Sequence, residues 1–162
     1  MVYLGEVRRQ RERIKTSSLE KNRMEGDAFL AENRKKEGVV SLASGLQYRI
    51  INSGGPLIHK GEEKRPTDAN TVVCRYKGTL INGKEFDSSQ ARGIPTTFKV
   101  ENAIPGWREA LKLMPVGAKW QLFIPPSLTE GTGKIGGFTG EPGAVLIYDL
   151  ELLAIMDGLG AK

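Results

Sequence analysis

The stretch "TVVCRYKGTLINGKEFDSS", residues 71–89, predicts a β-hairpin around which the rest of the fold can be placed. Residues 71–80 have the composition of a strand, and residues 85–89 predict the strand that returns beside it. Between them, Asn82 and Gly83 form the dipeptide that favours a tight hairpin turn, because the backbone there needs positive φ angles. The hairpin indicates an antiparallel sheet.

Segments on both sides of the hairpin complete an α+β plan. Leu46, Tyr48 and Ile50 alternate with polar residues, which is the two-residue period of a strand. The stretch "PGWREALKLMPVG" has helical spacing, with Pro105 suited to begin a short helix and Pro115–Gly117 suited to end it. Further strands are predicted at 96–100, 118–126 and 144–155. Together these elements predict an antiparallel sheet of about five strands wrapped on one short helix.

The first part of the chain predicts a helical arm. Residues 2–36 contain no proline and are rich in Arg, Lys, Glu and Gln, and Gly38 is a suitable C-terminal stop. The apolar stripe is thin and broken, so the helix needs a packing surface, which is either a second copy of itself or the following domain. A dimerisation helix and a solvated, partly frayed extension both fit this pattern, because heptad spacing fails at Arg11 and Ser18.

Composition and charge exclude several classes of protein. A chain of 162 residues with 39% hydrophobic content can bury one core and an appended segment. The net charge of +5 comes from 24 basic residues interleaved with 19 acidic ones, which does not suit a nucleic-acid-binding protein. No apolar stretch is long enough to span a membrane. The single cysteine, Cys74, and the single histidine, His59, lie far apart and predict neither a disulfide nor a metal site, and no cofactor is expected.

Three separated segments carry a family resemblance: "YKGTLINGKEFDSS", "TTFKVENAIPGWREALKLMPVGAKWQLFIPP" and "AVLIYDLEL". In order and spacing they resemble the FKBP-type peptidyl-prolyl isomerases, over roughly residues 40–156. The lead-in "GDAFLAENRKKEGVVSLASGLQYRII" resembles the bacterial subgroup that includes the macrophage infectivity potentiator. The resemblance implies a twisted antiparallel sheet around a short helix, with an apolar pocket between them. It divides the chain into a helical arm at 1–38, an isomerase domain at 39–157 and a tail at 158–162.

An isomerase of this kind needs no covalent step. Rotation about an X-Pro bond crosses a barrier of about 18–20 kcal/mol, because resonance holds the amide planar. A catalyst need only favour the twisted imide, which has lost resonance and carries less charge on its oxygen. A poorly hydrated pocket lined by aromatic rings removes the water that stabilises the more polar planar form, while a few polar groups hold the chain. Such a site gives a function to the pairing of Phe86 with Asp87 directly after the hairpin turn.

Ten residues are assigned to the family's site when the motifs are aligned residue by residue, and some of them differ from the family's own residue. The resemblance implies that Trp107 is the floor under the substrate proline and that Ile104 gives the substrate a backbone contact. Asp87 is expected to hydrogen-bond the substrate or its neighbours, with Arg92 as the charge partner that keeps the carboxylate ionised. The catalytic set implied is Tyr76, Phe86, Asp87, Trp107 and Tyr148, and the substrate-binding set is Arg92, Ala103, Ile104, Glu130 and Phe138.

Several positions depart from the family pattern. Glu130 stands where the family has the tyrosine of an "AYG" motif, so a carboxylate adds charge and hydration at the rim of the pocket. Ala103 replaces a larger valine, and the following loop is rebuilt as "TGEPGA", although Phe138 or Thr139 can fold over the site. Tyr148 adds a hydroxyl that needs a partner if buried. We expect lower catalytic efficiency than in typical members and weak binding of the family's macrolide inhibitors.

Each of these residues can also be explained by a structural role alone. Their occurrence together makes that explanation less favoured. Phe86, Ile104 and Tyr148 lie at strand spacing and would be core residues in most proteins. Asp87 beside two serines would ordinarily bond local backbone in a turn. The segment "GTGKIG" at 131–136 has the spacing of a dinucleotide fingerprint, but it does not open a helix and is set aside.

Two functions from different classes follow. The first is a peptidyl-prolyl cis-trans isomerase that acts on proline-containing, flexible or unfolded polypeptides, which the retained Phe86, Asp87, Ile104 and Trp107 favour. The second is a binding module or chaperone that keeps the pocket's shape but has lost most turnover, which Glu130 and the rebuilt loop favour. The resemblance points to the periplasm or cell surface, without support in the visible N-terminus, and leaves the cytoplasm open.

Overall fold

The computed structural model describes residues 2–54, 65–89, 93–129, 135 and 141–156, and for residues 2–17 it describes the backbone alone. Within these ranges the elements, in chain order, are α1 (Val2–Asn33), β1 (Val39–Ser41), β2 (Gln47–Asn52), β3 (Thr71–Thr79), β4 (Glu85–Ser88), β5 (Thr96–Lys99), α2 (Pro105–Leu113), β6 (Lys119–Ile124) and β7 (Leu146–Ile155). Short 3₁₀ helices at Val100–Asn102 and Pro126–Leu128 flank α2 and β6.

All of these strands join one antiparallel sheet, which confirms the predicted α+β plan. The strands pair in the order β1-β2-β6-β7-β3-β4, and β5 also pairs with β3. The sheet has seven strands where about five were predicted. Strands were predicted at the positions of β2 to β7, so the strand that the sequence did not predict is β1, which has three residues. Strands of that length show too little alternation to be counted from a sequence.

The predicted hairpin connects β3 to β4, with a slightly longer turn than the sequence implies. Gly83 has a φ of +88°, and the side-chain oxygen of Asn82 accepts a hydrogen bond from the Lys84 N–H at 2.9 Å. Leu80 donates its N–H to the Lys84 carbonyl, also at 2.9 Å. The loop therefore contains three residues instead of two, with glycine at the left-handed position that such loops require.

One face of the sheet is covered by α2. Pro105 opens this helix at its first position, as predicted, and the residues that it buries include Trp107 and Leu111. Asp68, in the turn before β3, lies 3.6 Å from the Arg108 guanidinium and 3.5 Å from the Lys112 ammonium, which ties the outer side of α2 to the domain. The fully buried side chains include Trp107, Tyr148, Ile104, Leu122, Ile124 and Leu150.

The second half of α1 packs on the opposite face of the sheet. Successive strand residues point to opposite faces, so Phe123 points away from its buried neighbour Ile124 and from α2. The Phe123 ring lies 6.0 Å from the Phe29 ring of α1, and the Asn33 side chain donates to the Gln47 side chain at 2.8 Å. The arm therefore packs on the following domain, which is one of the two packing surfaces expected for it. None of the described helices is long and apolar enough to cross a membrane.

A second contact joins α1 to the segment before β7. The Asn22 side chain donates to the Pro142 carbonyl at 2.9 Å. At Gly26 the helix passes so close to Val145 that a Cβ would lie 2.8 Å from a Val145 methyl group. A side chain at Gly143 would lie 2.6 Å from Leu19. These contacts place α1 directly against the chain that enters β7.

Candidate active site

Three aromatic residues predicted for the site meet at the centre of the core. Trp107 from α2 packs edge to face against Tyr148 from β7, with ring centroids 4.9 Å apart and an interplanar angle of 87°. Tyr76 from β3 lies 5.0 Å from Trp107 and 6.0 Å from Tyr148. These distances and angles are those of favourable aromatic pairs. Elements distant in sequence thus place three rings against one another.

Phe86 from β4 completes what we call the aromatic cluster: Tyr76, Phe86, Trp107 and Tyr148. Its ring centroid lies 5.5 Å from that of Tyr148, at an interplanar angle of 83°. The approach depends on Gly78 of β3, where a Cβ would lie 2.7 Å from the Phe86 ring and 2.8 Å from the Tyr148 ring. Any side chain at this position would separate the two rings.

A hydrogen bond joins Asp87 to the aromatic cluster. The Tyr76 hydroxyl donates to Asp87 Oδ2 at 3.0 Å, and Asp87 is half-buried. The Tyr148 phenol is fully buried, and this burial raises its pKa well above the ordinary value, with the nearby Asp87 carboxylate adding to the shift. Tyr148 therefore stays protonated, and its hydroxyl can act as a hydrogen-bond donor across the physiological pH range.

Ile104 and Ala103 lie at the start of α2, where both are fully buried. The Ile104 N–H, to which the resemblance assigns a substrate contact, donates to the Ile135 carbonyl at 2.9 Å. The Ile135 N–H in turn donates to the Asn102 carbonyl at 2.8 Å, so Ile135 forms a parallel β-bridge with Ala103. In this structure the backbone donor of the candidate site is already occupied.

The structure brings together seven of the ten predicted site residues, while Arg92, Glu130 and Phe138 lie outside the described residues. His59 and the tail at 158–162 lie outside them as well, and so does "GTGKIG" except for Ile135. Trp107 and Tyr148 both have 0% exposure. A substrate ring can therefore reach the indole only if the groups that cover it move.

Three residues at the site were missed by the sequence argument. The Phe98 ring of β5 lies 5.5 Å from Trp107, and the alternation of polar and apolar residues in "TTFKV" could have indicated that this side chain points inward. Ser89 bonds the backbone of Tyr76, and Ile135 bonds that of Ile104. No local pattern signals either contact, because each depends on which segments become neighbours in the fold.

The chemistry of this arrangement is that of a dry, ring-lined site. Among the described residues, no three His, Cys, Asp or Glu side chains lie close enough to share a metal ion. Burial raises the pKa of the Cys74 thiol to about 12, so this thiol stays protonated at neutral pH and is a poor nucleophile. The site offers instead the apolar surface of the cluster, the carboxylate of Asp87 and, once the Ile135 carbonyl is displaced, the Ile104 N–H. These groups suit a reaction that rotates a bond without breaking one.

Comparison with known proteins gives the same family over most of the chain. The model of the FKBP-type peptidyl-prolyl cis-trans isomerase family matches residues 62–153, and the model of the domain amino-terminal to it matches residues 2–50. The 22 kDa FKBP-type peptidyl-prolyl cis-trans isomerase of Escherichia coli is 42% identical over 153 residues, covering 94% of this chain and 70% of that protein. The outer membrane protein MIP of Legionella longbeachae is 44% identical over 136 residues, covering 84% of this chain.

A solved structure supports the relationship. The crystal structure of FkpA from Escherichia coli superposes with a TM-score of 0.82 at 34% sequence identity, covering 95% of this chain and 68% of that one. The chain spans only about half of some curated relatives, with 55% of the Legionella protein and 51% of FkpA from Aeromonas hydrophila. The resemblance stated from the sequence is confirmed, and the chain belongs to the family of FKBP-type peptidyl-prolyl cis-trans isomerases.

Proposed function

We propose that the chain is a peptidyl-prolyl cis-trans isomerase that acts on X-Pro bonds of flexible or unfolded polypeptides and so assists protein folding. The observation that carries the proposal is the packing of Trp107 against Tyr76 and Tyr148, which gives a candidate pocket a dry, ring-lined floor. Membership of the family supports the same activity.

In the proposed mechanism the substrate proline lies on the Trp107 indole. The planar amide is the more polar form, and in water its carbonyl oxygen is well solvated. Exclusion of water by the surrounding rings removes more stabilisation from this planar form than from the twisted imide, so the barrier to rotation falls. Asp87, oriented by the Tyr76 hydroxyl, and the Ile104 N–H hold the chain beside the rotating bond.

The remaining roles follow the family alignment. Phe86, Tyr76 and Tyr148 are the proposed walls, and the wall at Ala103 is shallower than a valine would make it. The proposed rim and charge partners are Arg92, Glu130 and Phe138. A carboxylate at Glu130 keeps water near the reacting amide, so we assign the chain a lower efficiency than typical members and weak binding of macrolide inhibitors.

Substrate binding must displace contacts that the structure contains. The substrate carbonyl can bond the Ile104 N–H only in place of the Ile135 carbonyl, and Trp107 has no exposed surface. Both features weaken substrate binding, because existing contacts are lost when the substrate enters. Since they also lower the expected turnover, they favour the second candidate function in the form of a binding module or chaperone that holds a protein partner through the helical arm.

Assembly and location complete the proposal. Residues 2–17 precede the part of α1 that packs on the sheet, so we assign them the contact with a second copy in a homodimer. The name of the Legionella relative, an outer membrane protein, supports a location in the periplasm or at the cell surface.

The test uses the full chain and a short peptide with one X-Pro bond, whose cis-to-trans relaxation is followed with and without protein. The isomerase proposal expects a rate well above the uncatalysed one. A rate equal to the uncatalysed one overturns it and leaves the binding module. Glu130→Tyr is expected to raise kcat/KM, and an equal kcat/KM in the two proteins would contradict the role given to Glu130.

A further inference from the structure

Ser89 lies beside β3, next to a gap between the two strands, β4 and β5, that pair with the same side of β3. On this side β5 pairs with residues 71–74 of β3, and β4 pairs with residues 77–79. Tyr76 lies in the gap between the two partners. Because Lys77 is opposite Ser88, the register continues with Ser89 opposite Tyr76, one residue beyond the end of β4.

In this last pair the Ser89 side chain takes the place of a backbone carbonyl. Facing residues of a hydrogen-bonded antiparallel pair normally exchange two N–H···O=C bonds. The Ser89 N–H does donate to the Tyr76 carbonyl, at 3.0 Å. The Tyr76 N–H instead donates to the Ser89 hydroxyl oxygen at 2.9 Å, and the same hydroxyl lies 3.3 Å from the Tyr76 carbonyl. The chain can thus leave the sheet at Ser89 while the Tyr76 backbone stays bonded.

The other end of Tyr76 is held from the same segment. Its phenol donates to Asp87, which precedes Ser89 by two residues. Ser89 is 1% exposed, so its hydroxyl is not readily replaced by water. One short segment therefore holds Tyr76 at two points, the backbone through Ser89 and the phenol through Asp87.

We propose that Ser89 is a positioning residue, whose hydroxyl fixes the Tyr76 backbone so that the phenol meets Asp87. Alanine at this position would leave a buried N–H without its acceptor, so the Tyr76 backbone would shift to find another. A cavity of about 210 Å³ beside Ser89, also lined by Arg75 and by residues 93–95, gives room for that shift. The effect on turnover rests on the proposed isomerase function.

The first test is a double-mutant cycle on kcat/KM with an X-Pro peptide. Ser89→Ala should lower kcat/KM about tenfold, because the polar anchor is displaced. In a Tyr76→Phe background, which lacks the phenol, the same change should lower kcat/KM less than about twofold. An equal loss in both backgrounds, or no loss in the wild type, would overturn the proposal. Ser88→Ala, a neighbouring buried serine, is the matched control and should stay within about twofold of the wild type.

A second readout does not depend on turnover. In Ser89→Ala the Tyr76 amide proton should exchange faster with solvent and the Tyr76 ring resonances should shift, whereas Ser88→Ala should leave both unchanged. If the wild type shows no turnover, the proposed function fails and these signals alone decide the role of Ser89. Unchanged Tyr76 resonances in Ser89→Ala would then overturn the positioning role, and shifted resonances would support it.

Discussion

The two faces of the sheet are built by different means. On the α2 face, Trp107 meets aromatic rings from the three strands β3, β5 and β7, so large side chains from four elements converge. On the α1 face, the helix is held by the Phe29–Phe123 ring pair, by asparagine side chains and by a close approach at Gly26. The contacts on the α2 face position the side chains of the candidate site, whereas the contacts on the α1 face attach α1 to the sheet. Damage to the aromatic cluster on the first face should change turnover, and damage to the second face should change stability alone.

Replacing the two buried tryptophans separately should give the strongest change in turnover. Trp107→Leu should lower kcat/KM about a hundredfold, because the proline loses the floor of its pocket. Trp120 is also buried on the α2 face, but it stacks on Tyr48 at 4.2 Å, away from the aromatic cluster. Trp120→Leu should leave kcat/KM within about twofold. Each change should lower the free energy of unfolding by about 3 kcal/mol, measured in urea.

This pair tests whether position in the cluster, and not burial of an indole, decides turnover. Within the described part of the chain neither indole N–H has a hydrogen-bond partner, so the two tryptophans are closely matched. Equal losses of kcat/KM in the two variants would show that activity follows stability, and the aromatic cluster would lose its special role.

Gly78 and Gly26 give a second test of the difference between the two faces. Gly78→Ala would place a methyl group 2.7 Å from the Phe86 ring, so it should lower kcat/KM about tenfold and the free energy of unfolding by about 2 kcal/mol. Gly26→Ala would place a methyl group 2.8 Å from Val145 on the α1 face. It should cost about 1 kcal/mol and leave kcat/KM within about twofold.

The control for this pair is a Val145→Ala background, which removes the methyl group that Gly26→Ala would meet. There Gly26→Ala should become stabilising by about 0.5–1 kcal/mol, because alanine is the better helix former. A cost that persists without Val145 would show that the close approach is not what selects glycine at this position.

Much of the α2 face could be predicted because its signals are local. The Asn82–Gly83 turn and the opening of a helix at Pro105 follow from backbone preferences of single residues. The inward rings follow from the two-residue and helical periods. Their mutual contacts could be given only by resemblance, since they depend on pairings such as Leu122 with Tyr148, whose residues are distant in sequence.

The surface on which α1 packs could not be predicted from the sequence, for a related reason. A thin apolar stripe fits a second copy or the following domain equally well, and the choice depends on polar contacts such as Asn33 with Gln47. The hydrogen bond from the Ile104 N–H to the Ile135 carbonyl could not be predicted either, because backbone groups make such bonds whatever the residue type. Hydrogen bonds of single polar side chains and of backbone groups are therefore the contacts that could not be predicted from the sequence.

High pH should reveal the buried thiol on β3. The pKa of Cys74 is raised by burial from 9.0 to about 12, so the unfolded thiol loses its proton near pH 9 while the folded one keeps it. The unfolded state is therefore favoured as pH rises from 9 to 12, and stability falls. Between pH 8 and pH 10 the wild type should lose on the order of 1 kcal/mol more than Cys74→Val, measured by urea unfolding. An equal loss in both proteins would show that the thiol ionises in the folded state.

The smallest effect is expected from Asn22, and it is the strictest test of the α1 face. Asn33→Ala would leave the buried side-chain oxygen of Gln47 without its donor, so it should lower the free energy of unfolding by about 2 kcal/mol. Asn22→Ala removes a half-buried bond to the Pro142 carbonyl, where water can replace the donor, and should cost about 0.5–1 kcal/mol. Both should leave kcat/KM within about twofold.

The two asparagines differ in what their partners adjoin. Gln47 lies in β2, away from the aromatic cluster, whereas Pro142 lies four residues before β7, the strand that carries Tyr148. Pairing of β7 with both β3 and β6 should fix Tyr148 whatever happens at Pro142. The contrary outcome is that Asn22→Ala lowers kcat/KM by more than about threefold while Asn33→Ala does not. That result would show that strand pairing alone does not fix Tyr148, and that the contact of α1 with the segment before β7 affects the site.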